Sequence, residues 1–220
     1  MDTEQREQSR IAVESIRRMP LYLRLLRDKF SESEFVTSVA IADALNLNAI
    51  VVKKDLAAVA SAPGVPNVGF SVKTLRDDIE EFLGYNNTTD AVLVGAGNLG
   101  SALLSYGGFA NCGLNIAAAF DADERLFGKV VSGKRILPVD KFENLVKRLK
   151  IRIGIITVPG AHAQNVCDLM VRAGIKAIWN FAPAHLTVPN GVALKNEDLS
   201  VSLAVLSNDL KKITEKNGDA

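Results

Sequence analysis

The chain has 220 residues, 48% hydrophobic and 23% charged, with a formal net charge of +1. That composition belongs to a globular protein with a sizeable core, in one large or two small domains, and excludes a disordered or strongly polyelectrolytic chain. No apolar run approaches the ~18 residues of a membrane span, and no basic start leads into an apolar export signal, so a soluble cytoplasmic protein without a membrane partner is expected.

Residues 1–10 are polar and expected to fray. Pro20 suits the first turn of a helix better than its interior, which places helix one between Met19 and Phe30. Residues 31–35 read as a loop. Thr37 or Ser38 can cap a second helix running to Leu45, buried through Val39, Ile41, Ala42 and Leu45. Asn46-Leu47-Asn48 is a short turn, with Asn48 as N-cap of a third helix ending near Val59. Helix, tight turn and helix together make a helix-turn-helix, whose second helix enters the DNA major groove. The stretch SAPGVPNVGFSV (61–72) holds two prolines and two glycines, and its returning Val68-Gly69-Phe70 suits a β-hairpin wing. Val72–Leu83 reads as an amphipathic helix, and the polar 84–89 as a hinge. This first module carries 11 Lys and Arg against 13 Asp and Glu, a net of −2, and the remainder 15 against 12, a net of +3.

Beyond the hinge, Ala91 to Val94 is an apolar strand leading into Gly95-Ala96-Gly97-Asn98-Leu99-Gly100, a G-x-G-x-x-G turn that opens a helix. Its first glycine permits the tight turn, the second lets backbone approach a pyrophosphate, and the third lets helix pack closely on strand. A second apolar strand, 115–120, ends on Asp121, 21 residues past Gly100. A carboxylate there accepts from both adenosine ribose hydroxyls and repels a 2′-phosphate, which favours NAD(H) over NADP(H). The alternatives are a bare structural turn or another nucleotide-like ligand such as coenzyme A. Short apolar pieces at 130–131 and 135–137 follow, then helix 139–149, strand 151–158, helix 162–173 and strand 177–181. Strands alternating with helices predict a doubly wound parallel sheet. A last apolar-periodic stretch through Leu199, Val201, Leu203, Val205, Leu206 and Leu210 is helical, and docks on its own domain or on a second copy of the chain.

Taken together, the runs Val52-Lys53-Lys54-Asp55-Leu56, Val68-Gly69-Phe70, Gly95 to Gly100, Thr157-Val158-Pro159, Gly174-Ile175-Lys176 and Asn180-Phe181-Ala182-Pro183 resemble, in order, the Rex family of redox-sensing transcriptional repressors. The likeness spans roughly residues 18–210. It implies an α/β protein with a winged helix-turn-helix (1–84), a Rossmann domain (85–196) and a terminal helix exchanged between subunits (197–220). It further implies a homodimer that binds double-stranded operator DNA and leaves it when NADH, in competition with NAD+, occupies the cofactor site. By resemblance, Ser38, Asn48, Lys53 and Lys54 meet DNA, and Ala122, Thr157, Val158, Pro159, Asn180 and Tyr106 join the glycine turn and Asp121 around the cofactor. The switch implied by the family joins Arg24, Tyr106 and Asp198. Two departures stand out: the wing residues 62–67 carry no positive charge, where the family carries glycine and basic residues, and Leu199 follows the switch acid where an aromatic is common.

A small NAD-dependent oxidoreductase is the rival reading. It needs an acid or base at the nicotinamide, and His162 or His185 are the candidates, but no second group is spaced to orient either, so no catalytic residue is assigned. A nucleotide-binding interaction protein with weakened DNA affinity is the third. The two cysteines, Cys112 and Cys167, lack metal-ligand spacing, so no metal is expected; each is read as a buried, inert thiol in a reducing compartment.

Overall fold

The computed structural model describes residues 12–86 and 89–217. The polar start at 1–10, Asn87 and Thr88 of the hinge, and the side chain of Leu199 lie outside the described residues. The chain divides into two compact units, Met1–Asn87 and Thr88–Ala220.

In the first unit, α1 (Val13–Asp28), α2 (Ser38–Leu45), α3 (Ala49–Val59) and α4 (Val72–Leu83) enclose one core. Helix α1 buries Met19, Tyr22, Leu23 and Leu26 on one face, and α4 buries Val72, Leu75 and Ile79 on another. Here a sequence expectation fails. Pro20 lies inside α1, which begins at Val13 rather than near Met19. Proline removes one N–H and crowds the preceding turn, but apolar residues on both sides of it are buried, and packing outweighs that local cost. Thr37 Oγ1 accepts from the Ala40 N–H at the start of α2, and Asn48 Oδ1 from the Ile50 N–H at the start of α3. Between them Asn46 turns left-handed, at φ 52°, a conformation asparagine tolerates. The wing is sparser than a full hairpin. Val65 and Gly69 form one antiparallel bridge, and β2 (Phe70–Ser71) pairs with β1 (Phe35–Val36).

The second unit carries β3 (Thr89–Val94), α5 (Asn98–Leu104), β4 (Leu114–Asp121), β5 (Val130–Val131), β6 (Lys134–Pro138), α6 (Phe142–Leu149), β7 (Ile153–Ile156), α7 (Gly160–Ala173), β8 (Ala177–Asn180), β9 (Ala193–Asn196) and α8 (Leu199–Asn217). Its seven strands lie in the order β5-β6-β4-β3-β7-β8-β9. All neighbours run parallel except the edge hairpin β5–β6, so six strands follow the dinucleotide-binding order. Alternation along β3 sorts the cores: Val92 and Val94 meet the side covered by α6 and α7, and Ala91 and Leu93 meet the side covered by α5. Strand β9 has no counterpart in the sequence reading, because the polar ALKN of Ala193–Asn196 offers no apolar alternation to find. Helix α8 turns Leu203, Leu206, Leu210 and Ile213 to solvent at heptad-like spacing.

A candidate nucleotide cavity and a candidate DNA-reading face

The order of strands reverses between β3 and β7, and in such sheets the crevice beyond the strand ends is where ligands bind. A cavity of about 750 Å³ opens there, within the usual range for a small-molecule site. Three glycines shape its floor, each differently. Gly95 has φ +104°, and a Cβ on it would lie 2.7 Å from the Thr157 carbonyl carbon. A Cβ on Gly100 would run into the Gly95 carbonyl oxygen. At Gly97 nothing lies within 4 Å of the corresponding point, and Gly97 lines the cavity. The first and third glycines are therefore demanded by the protein's own packing, while the second leaves open space that a phosphate can enter. Thr157 Oγ1 ties the arrangement together, approaching the Val94 and Gly95 carbonyl oxygens at 3.1 and 2.7 Å. Ser101 Oγ donates to the Ala96 carbonyl at 3.0 Å and holds the turn on its helix.

Asp121 closes the far side. Its carboxylate accepts from the Ala96 N–H at 2.6 Å and from the Asp123 N–H at 2.9 Å. A carboxylate offers about four lone-pair sites, so two acceptor directions remain for a pair of hydroxyls. Ala122, Val158 and Pro159 line the same cavity, as does His162. Sequence reasoning missed the apolar wall made by Leu126, Val139, Val166 and Leu169, and the rim residue Arg172. A signal was present: His162, Val166 and Leu169 stand at i, i+4 and i+7 on α7, one helical face. The residues present fit an adenine dinucleotide, with an apolar slot, a carboxylate with free acceptor directions and an uncrowded Gly97.

Other expected residues sit elsewhere. Asn98 and Leu99 begin α5 beside the turn, outside the cavity lining. Asn180 is buried and committed: its Nδ2 approaches the carbonyls of Ala182 and Ala184 and Asn196 Oδ1, while its Oδ1 accepts from the Ala182 N–H. It shapes the turn after β8 and does not line the cavity. Tyr106 is exposed, its ring edge-on to Phe109 at 5.0 Å. Phe109 meets Trp179, and Trp179 donates its indole N–H to Glu197 at 3.0 Å. Next along the chain, Asp198 accepts from the Ser200 N–H and hydroxyl at 2.8 and 2.6 Å, and the hydroxyl bond above all holds its carboxyl below the usual range. Arg24 is exposed on α1 of the other unit. The thiols divide. Cys167 is buried, with burial first and the Asp168 charge second raising its pKa, whereas Cys112 is exposed, contrary to expectation. It lies in the 3₁₀ turn Gly107–Cys112, which buries none of its residues. Among the described residues no group of three or more His, Cys, Asp or Glu side chains could hold a metal ion, and no helix is long and apolar enough to cross a membrane.

In the first unit, a groove of about 910 Å³ separates α3 from the wing. Ser38, Ile50 and Lys53 line it, and Asn48 caps α3 at its head. Lys54 is exposed on the adjacent face. Val39, expected inside, is exposed and lines the groove instead. The neighbouring Asp55 is buried: its carboxylate takes Arg18 Nε at 2.6 Å, Arg18 Nη2 at 2.9 Å and the Tyr22 hydroxyl at 2.7 Å. Burial pushes this carboxyl up, but hydrogen bonds from Arg18, Tyr22 and Ser15 outweigh it and the net shift is downward. Burial, then the bond to Asp55, drives the Tyr22 phenol upward.

Comparison with known proteins covers both units. A family model described as a CoA binding domain matches residues 86–184, and one described as a putative DNA-binding protein N-terminus matches residues 10–57. The redox-sensing transcriptional repressor Rex of Treponema denticola is 43% identical over 89% of this chain and 93% of its own length. That of Carboxydothermus hydrogenoformans is 41% identical over 90% and 95%. Among solved structures, the Rex-family repressor RSP in complex with beta-NAD+ and operator DNA superposes with a TM-score of 0.86 at 33% identity, over 96% of this chain and 99% of that one. RSP in complex with beta-NADH gives 0.83 at the same identity, over 96% and 100%.

Proposed function

This chain belongs to the Rex family of redox-sensing transcriptional repressors, and from that premise we propose that it is a cytoplasmic homodimer that holds operator DNA and releases it on binding NADH. The observation that carries the reading is one chain holding both a helix-turn-helix and, at the switch point of a dinucleotide-type sheet, a cavity with an uncrowded Gly97 and an Asp121 carboxylate. A relative of known structure carries beta-NAD+ with operator DNA in one crystal and beta-NADH in another.

In this reading the turn Gly95, Ala96, Gly97, Asn98, Leu99 and Gly100 admits the pyrophosphate over Gly97, with the start of α5 at Asn98 and Leu99 beside it, and Asp121 with Ala122 takes the adenosine ribose. Thr157, Val158 and Pro159 border the second ribose. When bound, the nicotinamide supplies a ring that is cationic in NAD+ and neutral in NADH, so an apolar surrounding favours the reduced form. Asn180 acts one step removed, by fixing the turn after β8. Arg24, Tyr106 and Asp198 form the switch: the acid before α8 exchanges partners between the exposed tyrosine of the cofactor-binding unit and the arginine of the DNA-binding unit. Such an exchange is a two-state contact whose balance a ligand can shift. Helix α8 supplies the dimer contact, its Leu203, Leu206, Leu210 and Ile213 stripe covered by a second copy and the helices exchanged between subunits. Ser38, Asn48, Lys53 and Lys54 contact DNA.

No hydride turnover is assigned. His162 lines the cavity with Asn165, Val166 and Leu169, and no carboxylate hydrogen bond orients its ring among the described residues. Equilibrium dialysis tests the cofactor assignment: NADH is retained, NADPH is retained at least tenfold less tightly, and Asp121→Ala removes the difference. Equal retention of the two by the parent chain, or consumption of NADH with small carbonyl compounds that His162→Ala abolishes, contradicts the proposal.

A further inference from the structure

The recognition helix of this chain presents hydrocarbon where polar readers are usual. In a helix-turn-helix the N-terminal residues of the second helix contact base edges. Here those positions are Ile50, 66% exposed, and Val51, 37% exposed. Ile50 and Lys53, one turn apart, line the groove between α3 and the wing. Val39 of α2 and Val65 of the wing line the same groove, both more than half exposed. Isolated exposed aliphatics need no explanation, but several converging on one groove mark a contact surface. Ile50 and Val51 lie outside the buried face of α3, which is made by Val52, Asp55 and Leu56. Lys53 gives the groove a positive charge, which suits a polyanion better than an apolar protein partner.

Resting on the operator-binding reading above, we propose that this face reads sequence through the C5-methyl groups of thymine, with Ile50 as the principal specificity-determining residue and Val39 flanking it. In the major groove only thymine offers a methyl, and aliphatic side chains are its natural partners. Lys53 donates to guanine or to phosphate alongside, without the planar fork that an arginine brings. The wing, with no charge between residues 62 and 67, adds apolar surface instead of phosphate contacts. Discrimination therefore comes from buried methyls and depends little on salt, whereas overall affinity is modest and salt-dependent through the lysines.

The experiment uses the full chain and a randomised duplex library from which bound sequences are selected. Each thymine of the selected duplex is then replaced singly by uracil, which removes only the methyl. The proposal expects at least one position per half-site at which uracil weakens binding about three- to fourfold, the worth of one buried methyl. Ile50→Ala, at an exposed position that leaves the core intact, abolishes that difference, while Lys53→Ala weakens thymine and uracil duplexes alike. Uracil duplexes bound as tightly as the parent, or an Ile50→Ala protein that still distinguishes them, overturns the proposal while leaving DNA binding established. A face that instead met another protein gives that same result. Selection of no duplex at all overturns the DNA-binding reading and this one with it.

Discussion

Gly97 and Gly100 make opposite demands although they belong to one motif. A methyl at 97 meets nothing within 4 Å, while one at 100 collides with the Gly95 carbonyl. Gly97→Ala is therefore expected to fold like the parent in thermal melts and to lose NADH affinity, and Gly100→Ala to lower the melting temperature itself. If Asp121 accepts from two ribose hydroxyls as proposed, each bond is charge-assisted and worth ~1.5–3 kcal/mol, so the NADH affinity of Asp121→Ala should fall at least a hundredfold in the same dialysis. Asp55 is the stability counterpart. Removing one partner of a buried ion pair costs ~3–5 kcal/mol, and Asp55→Ala should lose about 3 kcal/mol in urea unfolding of the first unit. Its native carboxyl lies below the ordinary 3.8. A depressed acid stabilises fully above its unfolded value, so the wild-type advantage should hold at neutral pH and shrink as pH falls below 3.8 through the native value. The glycine turn and Asp121 were legible in the sequence because spacing alone states their geometry. Asp55 was not, since its partners Arg18 and Tyr22 lie more than thirty residues away in sequence, and Lys53-Lys54-Asp55 reads as a plain charged run until burial separates the acid from the lysines.

Helix ends were also readable: α2 and α3 from the caps Thr37 and Asn48, and α4 over Val72–Leu83 from its amphipathic pattern. The start of α1 was not, because local proline chemistry opposes what the core requires of Met19, Tyr22 and Leu23. Strand β9 escaped because its pairing with β8, not its own pattern, makes it a strand. Two element-level outcomes follow. Replacing Lys53 and Lys54 with alanine should reduce the steepness of log affinity against log salt by about 0.9 for each phosphate left without its lysine, with nucleotide binding unchanged. Changing Leu206 and Leu210, both exposed on α8, to glutamate should convert a dimer into a monomer in sedimentation equilibrium. A variant that stays dimeric assigns the dimer contact to another surface.

At the scale of the molecule, the proposed function rests on a single coupling between the two units. A ligand shifts an equilibrium only by its differential affinity for the two states. On the proposed function, one nucleotide's oxidation state, sensed in the C-terminal unit, has to change how well the N-terminal units of a dimer match two half-sites. Couplings of this kind are typically ~1–3 kcal/mol, or roughly 5- to 150-fold in affinity. The direct test titrates the selected duplex, at one salt concentration, into full-length protein with no nucleotide, with saturating NAD+ and with saturating NADH, using equilibrium dialysis to report cofactor occupancy. NADH should weaken duplex binding at least tenfold, NAD+ should not, and Asp121→Ala should stay bound in NADH. Equal duplex affinity in all three conditions, with the cofactor site occupied, would contradict the coupling.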